Sequence, residues 1–222
     1  FDPDAPLTRA QAAQIFANLL NLSATASVAQ YTDVAVGSWY YDAIAKCVAA
    51  GILNGTGSNT MSPNTYVSRE ELFVMFARAL GIQPQASAGV TFTDSASTAS
   101  WAAGYVNALA DMGVVGGSGD GTLAPKADID RASVVALLDK AITAYGNTSG
   151  ATVGSSSGIV LVVADNVTVM GSVETLVVAG GSAGISGSTV GTISVVGESA
   201  SVSVGGSANV GQVSATGANA TV

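Results

Sequence analysis

Residues 1–11 read FDPDAPLTRAQ, and the same pattern returns as MSPNTYVSREE at 61–71 and as LAPKADIDRAS at 123–133. Each copy begins with an apolar residue and has a proline two positions later. An aliphatic residue, a helix-capping residue and an arginine then follow in that order. The copies start 60 and 62 residues apart. Repetition at such a period predicts three equivalent structural units.

Each copy is expected to start an amphipathic helix. The proline and small polar residues favour a turn, after which Thr8, Ser68 or Asp130 offers an oxygen to the first unpaired N–H groups of the helix. Thr8 with Gln11 and Ser68 with Glu71 have capping-box spacing, whereas Asp130 keeps only the cap. Apolar residues follow at helical spacing: Ala12, Ile15, Phe16 and Leu19; Leu72, Met75, Phe76 and Ala79; Val134, Leu137, Leu138 and Ala141. These faces should pack together.

Three of the four arginines in the chain, Arg9, Arg69 and Arg131, stand directly after these capping residues. A cation there faces the positive end of the helix dipole, which is mildly unfavourable. One interpretation is structural, with each arginine bonded to a carboxylate or a loop carbonyl. The other is functional, because a guanidinium group pairs bidentately with carboxylate or phosphate and so forms an anion-binding site.

Composition excludes several classes of function. A net charge of −8, with seven lysines and arginines, argues against a partner that is nucleic acid or an anionic membrane. The chain has no histidine and a single cysteine, Cys47, so we expect no metal, no cofactor and no internal disulfide. Cys47 lies in an apolar helical stretch and should be a core residue. No apolar run approaches the roughly 20 residues of a membrane-spanning helix, so membrane insertion is not expected.

The composition changes after Lys140, beyond which there is no lysine or arginine and the chain is mostly Gly, Ser, Ala, Thr and Val. We therefore divide the chain into a helical module at 1–146, a linker at 147–158 and a β-rich region at 159–222. Within the helical module, residues 1–29 form a partial repeat, and full repeats occupy 30–88 and 89–146. Since residue 1 stands in mid-motif, the N-terminus looks mature, cut or partial.

Further features recur in step with the arginines. Tyr31-Thr-Asp33 and Phe92-Thr-Asp94 precede Trp39 and Trp101, and a Gly-Ile-Leu-Asn-Gly loop at 51–55 leads into the second proline turn. With these features, residues 1–146 resemble the S-layer homology (SLH) repeats of bacterial cell-surface proteins. The resemblance implies a pseudo-threefold helical bundle. Its grooves would bind secondary cell-wall polysaccharide, often pyruvylated, and thereby tether the protein to peptidoglycan.

The resemblance also implies a set of polysaccharide-binding residues, in which the motif arginines hold the acidic sugar and the aspartates, tryptophans and loop glycines form the pocket. The set is Arg9, Arg69, Arg131, Ser68, Asp33, Asp94, Trp39, Trp101, Gly55, Gly57, Gly117 and Gly119. The first repeat lacks its front half, and Asp130 beside Arg131 would repel an anion. We therefore expect the groove that uses Arg69 to bind best.

Structural roles are open for the same residues. Both tryptophans could belong to the core, or could stack on sugar rings. Both aspartates could cap the helices that follow them. The glycines could be needed for turns with positive φ. A Gly-rich stretch at 116–121 lacks the lysine of a phosphate-binding loop and the ligand spacing of an EF-hand, so we assign it neither role.

The β-rich region consists of short valine- and isoleucine-rich segments between small residues. The segment 173–176 aligns with 190–193 and 210–213, at steps of 17 and 20 residues. This period predicts a parallel β-helix; a β-sandwich is the alternative, and the valine content argues against a disordered tail. The region has only three acidic residues and no histidine, lysine or arginine, which argues against a catalytic site contained there. Because the last coil has no capping element, we expect the natural protein to continue beyond Val222.

The leading hypothesis is a non-enzymatic, extracellular anchor that binds acidic cell-wall polysaccharide or peptidoglycan, with the β-helix as a spacer or display region. A second hypothesis is a structural S-layer or fibre subunit that self-associates. A third is the anchor part of a larger surface carbohydrate enzyme whose catalytic domain lies elsewhere. Binding to purified cell walls, assembly without polysaccharide, and the remaining sequence would discriminate among them.

Overall fold

The computed structural model describes residues 2–117 and 119–222. It forms two compact units. The helical unit comprises the residues up to Asn18 and Ala24–Leu137, and the solenoid unit comprises Leu19–Ser23 and Leu138–Val222. The helices of the described residues are α1 (Arg9–Leu19), α2 (Tyr41–Ala49), α3 (Arg69–Ala79), α4 (Ser100–Asp111) and α5 (Arg131–Ala141), with a short 3-10 helix at Ser95–Ser97.

The predicted caps start α1, α3 and α5. At α1 the Thr8 N–H donates to the Gln11 side chain at 3.0 Å, and the Gln11 N–H donates to Thr8 Oγ1 at 3.3 Å. Ser68 and Glu71 form the same reciprocal pair at α3. At α5 the Ser133 N–H donates to the Asp130 carboxylate at 2.6 Å. Both capping boxes and the simple cap are confirmed.

The three motifs meet in a closed ring of backbone hydrogen bonds. The Leu7 N–H donates to the Ile129 carbonyl at 2.9 Å, the Ile129 N–H to the Val67 carbonyl at 3.1 Å, and the Val67 N–H to the Leu7 carbonyl at 2.8 Å. All three side chains are buried. This ring relates the motifs by an approximate threefold axis, as a pseudo-threefold bundle requires.

The apolar faces predicted for α1, α3 and α5 form much of the interior. Phe16 and Phe76 are among the largest fully buried side chains, and Val134 is buried at the equivalent face of α5. Cys47 on α2 is also buried, and its Sγ donates to the Ala13 carbonyl at 3.2 Å. Burial raises the pKa of this thiol to about 12. The core role predicted for Cys47 is confirmed.

Parallel strands build the solenoid unit in two sheets. One has the order β1-β3-β5-β7-β9 and the other β2-β4-β6-β8. The strands are β1 (Ile142–Gly146), β2 (Thr152–Val153), β3 (Ile159–Val162), β4 (Val167–Val169), β5 (Ser172–Val178), β6 (Ser182–Ser186), β7 (Thr189–Val195), β8 (Ser201–Gly205) and β9 (Asn209–Ala215). Each strand pairs with the strand two further along the chain, so successive coils stack.

The register follows the repeat seen in the sequence. Val173 pairs with Val190 and then Val210, which are the steps of 17 and 20 residues. Buried valine, isoleucine, leucine and alanine side chains from both sheets fill the interior. The parallel β-helix is confirmed, and the β-sandwich alternative is wrong because every described strand pair is parallel.

Strands β1 and β2 precede Ile159. Ile142 pairs with Ile159 and Thr152 with Thr168, so the first coil includes residues whose Gly- and Ser-rich composition is typical of a linker. Composition alone does not reveal β1 and β2, because these strands are formed by backbone hydrogen bonds to the coil that follows them in the chain. Across the ranges 2–117 and 119–222, no helix is long and apolar enough to cross a membrane.

Candidate functional site

Both predicted aspartates bind the proline turns of the motifs. The Asp33 carboxylate accepts the N–H groups of residues 61 and 62 at 2.9 and 2.8 Å, and Asp94 accepts those of residues 123 and 124 at 2.8 Å each. The second residue of each turn has positive φ, 53° and 52°. The helix-capping interpretation of these aspartates is wrong, since they hold the turns that precede the motif arginines.

The hydrogen bonds of Asp94 are expected to make the helical unit sensitive to acid. The hydrogen bond from the Leu123 N–H, with a further one from Ala124, holds the pKa of Asp94 below its ordinary value of 3.8. A lowered pKa in the folded state stabilises the fold above the ordinary value, and this contribution is lost as the pH falls. We expect Asp94→Asn to lower the melting temperature by several degrees at neutral pH.

The difference between Asp94→Asn and the unmodified chain should shrink as the pH falls from about 5 to about 2. Thermal unfolding followed by tryptophan fluorescence at a series of pH values measures it. A difference that is independent of pH would contradict the role of the ionised carboxylate.

Gly55 and Gly117 are required by close packing. A Cβ atom at Gly55 would lie 2.7 Å from the Tyr31 ring, and one at Gly117 would lie 2.7 Å from a backbone carbonyl of its own loop. Of the four predicted loop glycines, only Gly119 has positive φ, at 87°. The positive-φ interpretation is therefore wrong for Gly55, Gly57 and Gly117. Because glycine has no side chain, Tyr31 can approach the loop backbone at Gly55 and Phe92 can approach it at Gly117.

Arg9 is a buried structural residue, only 5% exposed. Its Nε donates to the Met61 carbonyl, its Nη2 to the Asn54 carbonyl and its Nη1 to Glu71 Oε1, each at 2.9 Å. Burial lowers the pKa of the guanidinium group, and the Glu71 charge opposes that shift. The structural interpretation of this motif arginine, an ion pair and loop carbonyls, is the one that the contacts support.

Arg69 has the same backbone contact but a different neighbour. Its Nε donates to the Leu123 carbonyl at 2.8 Å, and its guanidinium carbon lies 5.3 Å from the centre of the Phe73 ring. Where Glu71 pairs with Arg9, the equivalent position for Arg69 is Ser133, which has no charge. Within residues 2–117 and 119–222, the Nη groups of Arg69 make no hydrogen bond. Burial lowers the pKa of this guanidinium group, and the negative charges of Asp130 and Asp94 oppose that shift.

Arg131 is half-buried and opens α5. Its backbone N–H donates to the Ala5 carbonyl at 3.2 Å, as the symmetry of the ring demands. The carbonyl equivalent to the Nε acceptors of Arg9 and Arg69 belongs to residue 1, which lies outside the described residues.

Both tryptophans are largely exposed, Trp39 by 59% and Trp101 by 52%. The core interpretation is therefore wrong for both. Trp39 packs edge-on against the buried Tyr40 ring, with the ring centres 5.4 Å apart. An exposed indole fixed on a helix start offers a flat apolar surface to a ligand.

A groove of about 400 Å³ brings three successive repeats together. Its walls are Arg9 of α1, the loop 52–56, Glu71 and Arg78 of α3, and Trp101 of α4. Among the predicted site residues, Arg9, Gly55 and Trp101 therefore line one groove, which Arg69, Arg131 and Trp39 do not line. The first motif copy supplies Arg9, the next repeat supplies the glycine loop, and the last repeat supplies Trp101. A groove of this composition therefore needs one motif copy followed by two full repeats.

Arg78 was not predicted from the sequence. It is the fourth arginine and lies on the last turn of α3, with Glu71, Val74 and Met75 on the same face of the helix. The spacing i, i+3, i+4 and i+7 from Glu71 was the available signal. Both polar atoms of the Asn54 side chain find partners when its amide is turned so that the oxygen faces α3, and in that orientation Arg78 Nη1 donates to the oxygen at 3.0 Å. The guanidinium carbon of Arg78 lies 5.7 Å from the centre of the Tyr105 ring.

Comparison with known proteins gives a consistent result. The family model described as "S-layer homology domain" matches residues 30–73 and 91–135. An amylopullulanase of Thermoanaerobacterium thermosulfurigenes is 31% identical over 66% of this chain and 8% of its own length. Exoglucanase XynX of Acetivibrio thermocellus is 33% identical over 62% of this chain and 13% of its own length. A surface-layer 125 kDa protein of Lysinibacillus sphaericus is 32% identical over 64% and 12%. The chain thus spans about a tenth of these relatives, and the enzymes match only its repeat region.

Proposed function

This chain is a bacterial cell-surface protein with S-layer homology repeats at residues 30–73 and 91–135, and we propose that it is a non-covalent cell-wall anchor. Its ligand is an acidic secondary cell-wall polysaccharide, of which pyruvylated polymers are one form. The observation that carries the proposal is the groove in which guanidinium groups, a close-packed glycine loop and an exposed tryptophan face one another.

The chemistry of the groove fits an acidic sugar. Carbohydrate rings have an apolar C–H face that packs against an aromatic ring, which Trp101 offers at the mouth of the groove. A guanidinium group binds a carboxylate through two parallel hydrogen bonds. Apolar residues of the loop and of α3, including Ile52 and Met75, complete the walls and exclude water from part of the ligand.

Arg69 supplies a second binding position in this proposal. Its Nη groups have no hydrogen bond within the described part of the chain, and the ring of Phe73 fixes the plane of the guanidinium group. The other predicted residues act by support. Asp33 and Asp94 hold the turns, and the Ser68 hydroxyl bonds to Glu71. We retain Arg131, Trp39, Gly57, Gly117 and Gly119 as candidate contacts.

The solenoid serves as a spacer or display region in this proposal. The acidic residues of the predicted β-rich region are Asp165, Glu174 and Glu198, and this region has no histidine, lysine or arginine to act with them. Two of the relatives are enzymes, so the chain could equally anchor a carbohydrate-active protein. The surface-layer relative supports a second candidate, a subunit of a structural lattice.

Co-sedimentation with purified Gram-positive sacculi tests the anchor, before and after acid extraction of the secondary polysaccharide. We expect the 222-residue chain to bind intact sacculi and to lose binding on extraction. Trp101→Ala should weaken binding about tenfold or more, because the stacking surface is lost. Tyr66→Ala is the matched control, since Tyr66 is a half-exposed aromatic residue outside the groove.

Other outcomes redirect the assignment. Binding that survives extraction would make peptidoglycan the partner. Failure to bind either preparation would contradict the anchor, and concentration-dependent assembly without any wall polymer would then favour the lattice subunit. Equal affinities for Trp101→Ala and Tyr66→Ala would contradict the role of the groove.

A further inference from the structure

We propose that Arg78, and not the motif arginine Arg9, supplies the positive charge that pairs with the acidic group of the polysaccharide in this groove. The inference rests on the proposed function and assigns the specificity of its site to a residue outside the repeated motif. It is argued from the hydrogen bonds and ion pairs of the residues that line the groove.

Arg9 has little left to offer a ligand. Each of its three guanidinium nitrogens already donates to the protein, and the residue is 5% exposed. Binding a ligand carboxylate here would require breaking a bond to Glu71 or to a backbone carbonyl. A buried carbonyl left without its donor is unfavourable, so the fold holds Arg9 in place.

Both carboxylate oxygens of Glu71 are also engaged by the protein. Its Oε1 accepts from Arg9, and its Oε2 accepts from both the backbone N–H and the hydroxyl of Ser68 at 2.9 Å. Arg9 and Glu71 therefore neutralise each other within the wall. Since the groove lining contains two arginines and one glutamate, its remaining positive charge belongs to Arg78.

Arg78 is oriented at one edge and open at the other. With the Asn54 amide turned so that its oxygen faces Arg78, Nη1 donates to that oxygen, and the Tyr105 ring lies against the guanidinium group. Within residues 2–117 and 119–222, no carboxylate forms a salt bridge with Arg78. The hydrogen bond described for its guanidinium group uses Nη1. A neutral amide and an aromatic face thus fix its direction without cancelling its charge.

Trp101 lines the same groove. A pyranose unit with a carboxylate substituent satisfies both residues, with the ring face on the indole and the carboxylate on the guanidinium group. A neutral sugar would use only the indole. The pair thereby selects acidic over neutral polymers, because packing of the sugar ring on Trp101 brings its carboxylate to the guanidinium group of Arg78.

The test measures binding of the full 222-residue chain to immobilised polysaccharide extracted from Gram-positive sacculi. Arg78→Met should raise the dissociation constant about tenfold or more, while Lys46→Met should leave it within twofold. Lys46→Met is the matched control because it removes the same single positive charge. Lys46 lies on α2 outside the groove lining and pairs with Asp42 at 2.8 Å. Arg78→Lys, which keeps the charge but loses the fork, should fall between them.

Chemical conversion of the polysaccharide carboxylates to amides completes the experiment. Amidation should weaken binding of the unmodified chain as much as Arg78→Met does, and should weaken the Arg78→Met variant little further. Loss of binding by amidation that is equal in both proteins would overturn the assignment of Arg78, as would an Arg78→Met affinity equal to that of the unmodified chain. Either result would leave the anchor standing, whereas failure of the unmodified chain to bind intact sacculi would contradict the anchor itself.

Discussion

Replacing Arg9 with methionine is expected to lower the free energy of unfolding of the helical unit by about 3 kcal/mol. The variant loses three side-chain hydrogen bonds at once and leaves the Glu71 carboxylate without its cation. Arg9 is buried whereas the Glu71 side chain is 27% exposed, so the loss comes mainly from the two backbone carbonyls and the ion pair that lose their donor. Urea unfolding followed by tryptophan fluorescence measures the loss, since both tryptophans lie in the helical unit.

Arg69→Met is the matched control, at the equivalent position of the next repeat. It loses one bond to a backbone carbonyl and its contact with Phe73 but strands no carboxylate, so we expect a loss of about 1 kcal/mol. Adding Glu71→Gln to Arg9→Met should restore part of the stability. If the two arginine variants lose the same free energy of unfolding, the Arg9–Glu71 ion pair does not add to the stability of the helical unit.

In the solenoid unit, Gly197→Ala is expected to lower the free energy of unfolding by about 3 kcal/mol. The added Cβ would lie 2.2 Å from the Ala179 carbonyl oxygen and 2.4 Å from its carbon, which belong to the preceding coil. Backbone atoms cannot rotate away as a side chain does, so the coils would have to separate and their hydrogen bonds lengthen. Urea unfolding followed by far-UV circular dichroism of the β signal measures it.

Gly184→Ala provides the comparison within the same unit. Gly184 lies in β6, and a Cβ there would meet nothing nearer than the Ser203 hydroxyl at 3.5 Å. Alanine restricts the unfolded chain more than glycine does, so this variant should be unchanged or slightly more stable. If the two alanine variants unfold at the same denaturant concentration, contact between coils does not explain the glycine at 197.

Features that depend on near neighbours could be predicted from the sequence. The caps at Thr8, Ser68 and Asp130 are confirmed because a capping bond joins residues three positions apart. The register of β5, β7 and β9 is confirmed because each coil repeats the length and the valine pattern of its neighbour. In both cases local chemistry and repetition suffice.

Features that depend on contacts between repeats could not be predicted in the same way. The aspartates bond to turns 28 to 30 residues away, so their sequence neighbours suggested a capping role instead. The groove forms where three repeats meet, so Arg9 lines it and Arg69 does not. Arg78 belongs to no repeated motif, and only its position beside Asn54 and Trp101 identifies it.

The closed ring formed by Leu7, Val67 and Ile129 has a consequence for how such a module can arise. Each member donates to one neighbour and accepts from the other, so any one or two of them would leave an interior N–H and carbonyl unpaired. No single repeat is then an independent folding unit, and all three should gain or lose structure in one cooperative transition. The segment that duplication or recombination can transfer intact between surface proteins is therefore the trio of motifs.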